Sequence, residues 1–222
     1  TEYWSGYYGD GDFPYSQLDG NDLWPEVILG RLSVRTSSDI ANVTNKIIRY
    51  EQAYDTSDDW YERAAIVGDP SQSGISCAIT AENIAEVMEQ YGMEDVRLKT
   101  SGGDYDGWMV DQLQEGVSFF NYRGYYGTSG FNSSDIDQSN NGYKLPFSTI
   151  ITCGTGSFAS ETTCLTESIY RAGTASTPKG AVAVIGTAQS YTHTAFNNIV
   201  DMGIFEGIFI NGAKTAGEAV VH

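Results

Sequence analysis

The stretch Phe147-Ser-Thr-Ile-Ile-Thr-Cys-Gly-Thr-Gly-Ser-Phe158 carries the clearest signal for the fold. Its first half is an apolar, β-branched run, which is typical of a central strand that is buried on both faces. The run ends at Cys153, and the chain then turns through two glycines. The pattern therefore predicts a strand over residues 147–152 with Cys153 at its exposed carboxyl end.

The residues that follow predict a helix over residues 161–172, because Leu165, Ile169 and Ala172 recur at helical spacing before a glycine. Cys153 then lies in a strand-to-helix crossover, where a helix N-terminus favours a thiolate. A free cysteine is also commonly a small buried core residue. The spacing leaves both interpretations of Cys153 open, a reactive thiol and a packing residue.

The same alternation of strand and helix extends outward from this stretch. Short apolar runs predict strands over residues 25–30, 64–67, 96–98, 117–121, 147–152 and 181–185. Helical periodicity predicts helices over residues 36–54, 80–91, 105–114, 161–172 and 196–210, the first with Ser37 or Ser38 as its N-cap. A long loop spans residues 123–144. The alternation predicts a three-layer α/β domain, with a mostly parallel sheet of about six strands and helices on both faces.

The length of 222 residues suits one domain with a full core, or one large and one vestigial domain. We expect residues 1–24, which are rich in tyrosine, glycine and aspartate, to be a lead-in segment and residues 25–222 to form the domain. We also expect the chain to be a segment of a longer protein with flanking domains.

The charge balance restricts the partners. Twenty-nine acidic residues against 12 basic ones give a net charge of −17, which repels nucleic acid and anionic membranes. No apolar run is long enough to predict a membrane span, and no signal-peptide pattern opens the sequence. Three cysteines cannot form a disulfide framework without leaving one over, and two histidines are too few for a histidine-cysteine zinc site. We expect Cys77 and Cys164 to pack in the core.

In parallel sheets, ligands bind beyond the carboxyl ends of the strands. Four predicted loops end there, spanning residues 68–74, 121–130, 153–158 and 186–195. The side chains with useful chemistry in these loops are Asp69, Tyr125, Tyr126, Cys153, Tyr191 and His193. A thiol and an imidazole on one rim are the minimum for catalysis by a cysteine nucleophile.

Five motifs in order resemble the gingipain family of cysteine peptidases and cover nearly the whole chain. They are residues 18–32 (LDGNDLWPEVILGRL), 46–51 (KIIRYE), 116–124 (GVSFFNYRG), 152–158 (TCGTGSF) and 178–186 (PKGAVAVIG). The resemblance implies a caspase-like α/β fold that corresponds to the second, catalytic subdomain of gingipains. It also implies an exported bacterial protein that acts on peptide or protein substrates and has bound calcium.

The resemblance assigns roles to several residues. It implies that Cys153 is the nucleophile and that the amide nitrogens of Cys153 and Gly124 form an oxyanion hole. Tyr125 occupies the position of the family's catalytic histidine, and tyrosine, which titrates near pH 10, cannot replace a neutral imidazole as the base. Tyr191 falls where the family has an aromatic residue that lines the specificity pocket. The loop that holds the family's acidic specificity residue is shorter here, so the resemblance does not imply a preference for arginine.

Two hypotheses follow for the function. In the first, His193 reaches Cys153 from the neighbouring loop and serves as a relocated base in a cysteine peptidase. In the second, the site has lost its base, and the domain is a binding or structural module on the cell surface.

Candidate calcium ligands occur in two acidic stretches. Residues 135–142 (DIDQSNNG) have alternating oxygen ligands, but the glycine and Pro146 do not match an EF-hand, so an Asx-rich turn is the first interpretation. Asp10, Asp12, Asp19 and Asp22 in the lead-in segment offer hard oxygen ligands as well, although turn residues of this kind are commonly solvated.

Overall fold

A computed structural model describes residues 11–20, 22, 24–72, 74–159 and 162–221. In these residues the helices and strands alternate along the chain. The helices are α1 (Ser37–Glu51), α2 (Ser76–Gln90), α3 (Tyr105–Glu115), α4 (Ser133–Gln138), α5 (Leu165–Arg171), α6 (Thr194–Phe209) and α7 (Ala216–Val221). The strands are β1 (Arg63–Gly68), β2 (Asp95–Lys99), β3 (Phe119–Arg123), β4 (Phe147–Ile151) and β5 (Ala183–Gly186).

The five strands form one sheet in the order β2-β1-β3-β4-β5, and all neighbouring pairs are parallel. Parallel strands need crossover connections, which the helices supply. The carboxyl ends of β1, β3, β4 and β5 therefore meet at one edge of the sheet. The three-layer α/β fold that the alternation predicts is confirmed.

Helices cover both faces of the sheet because successive side chains of each strand point to opposite sides. Ala64 and Ile66 of β1 pack in one core with residues of α2 and α6. Ala65 and Val67 pack in the other core with residues of α3, α4 and α5. Strands β1 and β4 are buried on both faces, so their apolar side chains gain a hydrophobic contribution from each side.

The strand predicted over residues 25–30 is wrong, and the sheet in the described residues has five strands rather than six. The amide groups of Glu26 and Val27 donate to the carbonyl oxygen of Ser16, at 2.9 and 3.3 Å, instead of pairing with a strand. The apolar side chains of this segment line a groove beside β5 and α7, and Ile28 packs so closely on Gly217 that a Cβ there would overlap it. The apolar side chains of this segment therefore contact the groove, where Ile28 and Leu29 remain about half exposed, and do not enter the sheet.

Other boundaries differ from the prediction at the helix ends. The N-cap of α1 is Thr36 and not Ser37 or Ser38 as predicted. Thr36 forms a capping box with Asp39, so the helix begins at Ser37. The start predicted for α5, Glu161, lies outside the described residues, and the helix begins at Leu165. The loop over residues 123–144 contains the short helix α4, which Asn132 and Asp135 cap.

Cys77 and Cys164 are buried, as predicted. None of the helices in the described ranges is long and apolar enough to cross a bilayer.

Candidate active site

Cys153 lies two residues beyond the end of β4, at the carboxyl edge of the sheet, and its side chain is partly exposed. The turn around it is fixed from both sides. The Thr155 hydroxyl donates to the carbonyl oxygens of Ile150 and Thr152, at 2.7 and 3.0 Å. The Gly154 amide donates to the carbonyl oxygen of Gln189 at 3.2 Å, which ties the turn to the loop after β5. The thiol is therefore held in place by the two loops that flank it.

The groups around the thiol belong to the loop after β5. The sulfur lies 3.4 Å from Thr192 Oγ1 and 4.0 Å from the carbonyl oxygen of Thr192. Burial alone would raise the pKa of Cys153, but hydrogen bonding to the side chain of Thr192 and to the backbone of Thr192, Tyr191 and Cys153 outweighs it and lowers the pKa. The sequence suggested a helix N-terminus as the cause, but α5 begins twelve residues after Cys153. The causes that lower the pKa are instead hydrogen bonds within the site.

Gly124 directly follows β3. A Cβ at this position would overlap the hydroxyl group of Tyr122, so the close packing requires glycine. The guanidinium group of Arg123 donates to the carbonyl oxygen of Gly124 and, at 3.0 Å, to that of Ile151. The chain segments that carry Gly124 and Cys153 are thus joined by one side chain.

The predicted tyrosines lie on the exposed rim. Tyr125 and Tyr126 are 47% and 77% exposed, and Tyr191 is fully exposed. Tyr191 also adopts the left-handed backbone conformation, with φ +65°, which is uncommon for a bulky residue. All three side chains are accessible to a ligand.

Asp69 lies at the end of β1 and is only 9% exposed. Its carboxylate accepts hydrogen bonds from the Ser71 amide at 2.8 Å and from the Ser129 hydroxyl, which also lies 2.6 Å from the hydroxyl of Tyr122. Burial opposes ionisation, but the hydrogen bonds from Ser129 and Ser71 outweigh it and lower the pKa of Asp69. In this geometry Asp69 anchors the loop that carries Tyr125 and Tyr126.

His193 is the N-cap of α6, and its Nδ1 accepts a hydrogen bond from the Ala195 amide at 3.1 Å. Because Nδ1 accepts, the proton of the neutral ring is on Nε2, and the ring has no other lone pair with which to take a proton. No hydrogen bond joins His193 to Cys153 among the residues that the structure describes. Thr192, and not His193, is the partner of the thiol in this conformation.

The candidate calcium ligands make other contacts in the described residues. Asp135 caps α4, Ser139 is buried with its hydroxyl donating to Ile136, and the amide of Asn141 donates to the carbonyl oxygens of Lys144 and Gly180. In the lead-in segment, Asp12 pairs with Arg31, and Asp10 lies outside the described residues.

The remaining lead-in carboxylates bond within their own turn: Asp19 accepts from the Gly20 amide and Asp22 from the Trp24 amide. No cluster of three or more His, Cys, Asp or Glu side chains suited to a metal occurs in the described part of the chain. Calcium binding by this domain stays a prediction.

Three residues of the site were not singled out from the sequence: Thr192, Asn197 and Arg123. Asn197 Nδ2 donates to Thr192 Oγ1 at 2.8 Å. In the sequence Arg123 stands only within a motif. An arginine at the end of an apolar strand is nevertheless unusual enough to predict a buried, hydrogen-bonded guanidinium group. No sequence signal identifies Thr192, because its contact with Cys153 spans 39 residues.

Residues 3–222 match the family described as Peptidase family C25. The chain belongs to this family. Gingipain R2 of Porphyromonas gingivalis is 31% identical over 186 residues, which are 79% of this chain and 25% of that protein. Gingipain R1 of Porphyromonas gingivalis has the same identity, and the matched region is 19% of its length. The chain thus spans about a quarter or less of these relatives.

The fold agrees with two solved structures of the family. The crystal structure of the Arg specific cysteine proteinase gingipain R (RgpB) superposes with a TM-score of 0.86 and 27% identity, over 95% of this chain and 52% of that one. A complex of the Porphyromonas gingivalis RgpB pro- and mature domains gives a TM-score of 0.81 and 25% identity, over 95% of this chain and 57% of that one. The caspase-like fold that the resemblance implied is confirmed.

Proposed function

We propose that this chain is a gingipain-like cysteine peptidase domain in which Cys153 is the nucleophile. The observation that carries the proposal is a partly exposed thiol with a lowered pKa at the carboxyl edge of the sheet, in a chain of family C25. In the reaction, Cys153 Sγ attacks the carbonyl carbon of a peptide bond, the C–N bond breaks, and the amine leaves with a proton. Water then hydrolyses the thioester and restores the thiol.

The remaining site residues have roles in this proposal. The amide groups of Cys153 and Gly124 stabilise the oxyanion that forms during attack. Tyr125, Tyr126 and Tyr191 contact the peptide on the exposed rim, and Asp69 holds the loop that carries the first two. The leaving amine needs a proton donor, and His193 can serve only after its ring releases the Ala195 amide.

A non-catalytic module is the second candidate function. Two observations favour it: the resemblance places Tyr125 where the family has its histidine, and the acceptor nitrogen of His193 caps α6. In this case the same rim binds peptides or proteins without cleaving them. We propose for both candidates a place within a longer bacterial protein, because the gingipains to which the chain is similar are several times its length. We propose a place outside the cell because the resemblance to gingipains implies an exported protein.

An assay with a mixed peptide library and four proteins separates the candidates. Wild type, Cys153→Ala, His193→Ala and Tyr125→His are compared for cleavage by mass spectrometry. The peptidase proposal expects slow cleavage by the wild type, none by Cys153→Ala and at least a tenfold gain in Tyr125→His, because a general base contributes about 100- to 10,000-fold. Cleavage that His193→Ala abolishes supports the relocated base.

A second readout uses a peptidyl acyloxymethyl ketone, which traps a nucleophilic thiol without a complete turnover. Adduct formation on Cys153, blocked by excess peptide, supports the peptidase. A wild type that neither cleaves peptides nor forms this adduct, yet binds peptides in equilibrium dialysis, contradicts the peptidase and supports the non-catalytic module.

A further inference from the structure

The hydroxyl group of Thr192 lies between an amide and the thiol. Thr192 Oγ1 is 2.8 Å from Asn197 Nδ2 and 3.4 Å from Cys153 Sγ. Asn197 belongs to the first turns of α6 and is only 8% exposed. An amide nitrogen only donates, so Thr192 Oγ1 accepts this bond. The single hydrogen of the hydroxyl is then free to be donated to the sulfur.

A second thiol of the chain gives the opposite arrangement at the same distance. Cys164 Sγ lies 3.4 Å from Thr166 Oγ1, but that hydroxyl donates to the carbonyl oxygen of Thr155 at 3.1 Å. A carbonyl oxygen only accepts, so the hydrogen of Thr166 is already used. The hydrogen between Cys164 and Thr166 is therefore that of the thiol, whereas the hydrogen between Thr192 and Cys153 is that of the hydroxyl. The Cys153 thiol has an acceptor of its own, the carbonyl oxygen of Thr192, only at the longer distance of 4.0 Å, so the 3.4 Å contact favours the thiolate.

We propose that Thr192 is the hydrogen-bond donor that holds Cys153 as a thiolate, and that Asn197 is the positioning residue that aims its hydroxyl. This inference deepens the proposed function and rests on it for its catalytic meaning. It assigns to two uncharged side chains the activation of the nucleophile that a neighbouring imidazole would otherwise provide.

The surroundings of the thiol agree with this assignment. Every cause that lowers the pKa of Cys153 is an uncharged hydrogen-bonding group, although partial burial opposes them. Of the two titratable neighbours of Thr192 in the sequence, Tyr191 is fully exposed and His193 accepts a hydrogen bond from the Ala195 amide. The negative charge of a thiolate is therefore stabilised here by hydrogen bonds rather than by an ion pair.

The test is the rate at which iodoacetamide alkylates Cys153 between pH 5 and pH 10, followed by peptide mass spectrometry. Thr192→Val keeps the shape of the side chain and removes the donor. We expect the pKa of Cys153 to rise by about one unit in this variant and alkylation at neutral pH to slow by about tenfold. Thr192→Ser retains the hydroxyl and should stay within about twofold of the wild type. A Thr192→Val profile that superposes on that of the wild type overturns the proposal.

The role of Asn197 is tested in the same assay by Asn197→Leu, which has a similar size and no donor. We expect alkylation at neutral pH to slow by about threefold, because the hydroxyl remains but loses its fixed direction. Thr166→Val is the matched control and should leave the Cys153 profile unchanged. If Thr192→Val lacks a native circular dichroism spectrum, Asn197→Leu decides, and an unchanged profile in that variant contradicts the inference.

The alkylation assay separates this inference from the proposed function, since alkylation needs no turnover. A Thr192-dependent alkylation profile in a protein that neither cleaves peptides nor forms the ketone adduct rejects the peptidase and keeps the thiolate. Peptide cleavage at a wild-type rate by Thr192→Val, together with a wild-type profile, rejects the inference and keeps the peptidase.

Discussion

Two buried cations lie near opposite edges of the sheet, and each binds backbone carbonyl oxygens. Arg123, at the carboxyl edge, is 1% exposed and donates to the carbonyl oxygens of Gly124, Ile151 and Thr194 and to Asn198 Oδ1. Lys46 of α1 is also 1% exposed and donates to two carbonyl oxygens, that of Tyr170 at 2.8 Å and that of Ala181 at 3.5 Å. Ala181 precedes β5, so this contact lies at the amino edge.

The two cations differ in whether they can lose their charge. A guanidinium group has five N–H donors and keeps its charge, whereas an amine can lose its proton. Burial lowers the pKa of Lys46 to about 7. At the edge with Cys153, a permanent cation thus holds three chain segments together. At the opposite edge, the cation that binds the carbonyl oxygens can become neutral.

The largest expected effect is that of Arg123→Met. This change leaves several buried carbonyl oxygens without donors and should lower the free energy of unfolding by about 3–5 kcal/mol. Urea denaturation measures it. Arg97→Met is the matched control, because Arg97 forms partly exposed ion pairs with Asp95 and Glu115 and should cost about 1 kcal/mol or less. Equal losses in both variants would show that the buried contacts of Arg123 stabilise the fold no more than partly exposed ion pairs do.

The next effect concerns Asp201 of α6, which is fully buried and accepts a hydrogen bond from Asn121 Nδ2 at 2.6 Å. Burial raises the pKa of Asp201 to about 8, although the charge of Arg123 and the hydrogen bond from Asn121 act against it. Between pH 4 and pH 8 the folded protein keeps this proton and the unfolded chain releases it, so stability falls as the pH rises.

We expect Asp201→Asn to remove a slope of up to about 1.4 kcal/mol per pH unit across that window. Urea denaturation at pH 5, 6, 7 and 8 measures the slope. Asp111→Asn, on the exposed part of α3, is the control and should leave it unchanged. An Asp201→Asn variant with the wild-type slope would mean that Asp201 is ionised beside Arg123.

At a fixed pH near 7 the smallest effect is expected for Lys46→Met, because the pH-dependent contribution of Lys46 only begins there. The folded protein releases the proton of Lys46 near pH 7, and the unfolded chain keeps it to about pH 10.5, so stability rises with pH across this window. The variant should lose this rise in the free energy of unfolding, which is up to about 1.4 kcal/mol per pH unit. Removing a buried amine stabilises the fold, and the loss of its two hydrogen bonds partly offsets that gain. Urea denaturation at pH 7, 8.5 and 10 tests it against Lys214→Met, an exposed control.

The sequence predicted the fold better than it predicted the site. The strands over residues 64–67 and 147–152 were found because their apolar runs are buried on both faces, and the position of Cys153 followed from the second run. Residues 25–30 gave the same signal, but Ile28 and Leu29 lie about half exposed beside β5 and α7, so an apolar run alone does not establish strand pairing. The partner of the thiol, Thr192, depends on how two loops meet, which periodicity along the chain does not encode.

The distance along the chain between Cys153 and Thr192 makes the thiol a reporter of folding. The two residues are 39 positions apart, and the bond from Arg123 to Thr194 spans 71. Non-local contacts of this kind form late in folding, because the intervening chain must first be ordered. During refolding from urea, pulse alkylation should therefore find Cys153 with the reactivity of an ordinary exposed thiol at first, and with its native reactivity only once α6 has docked on the sheet.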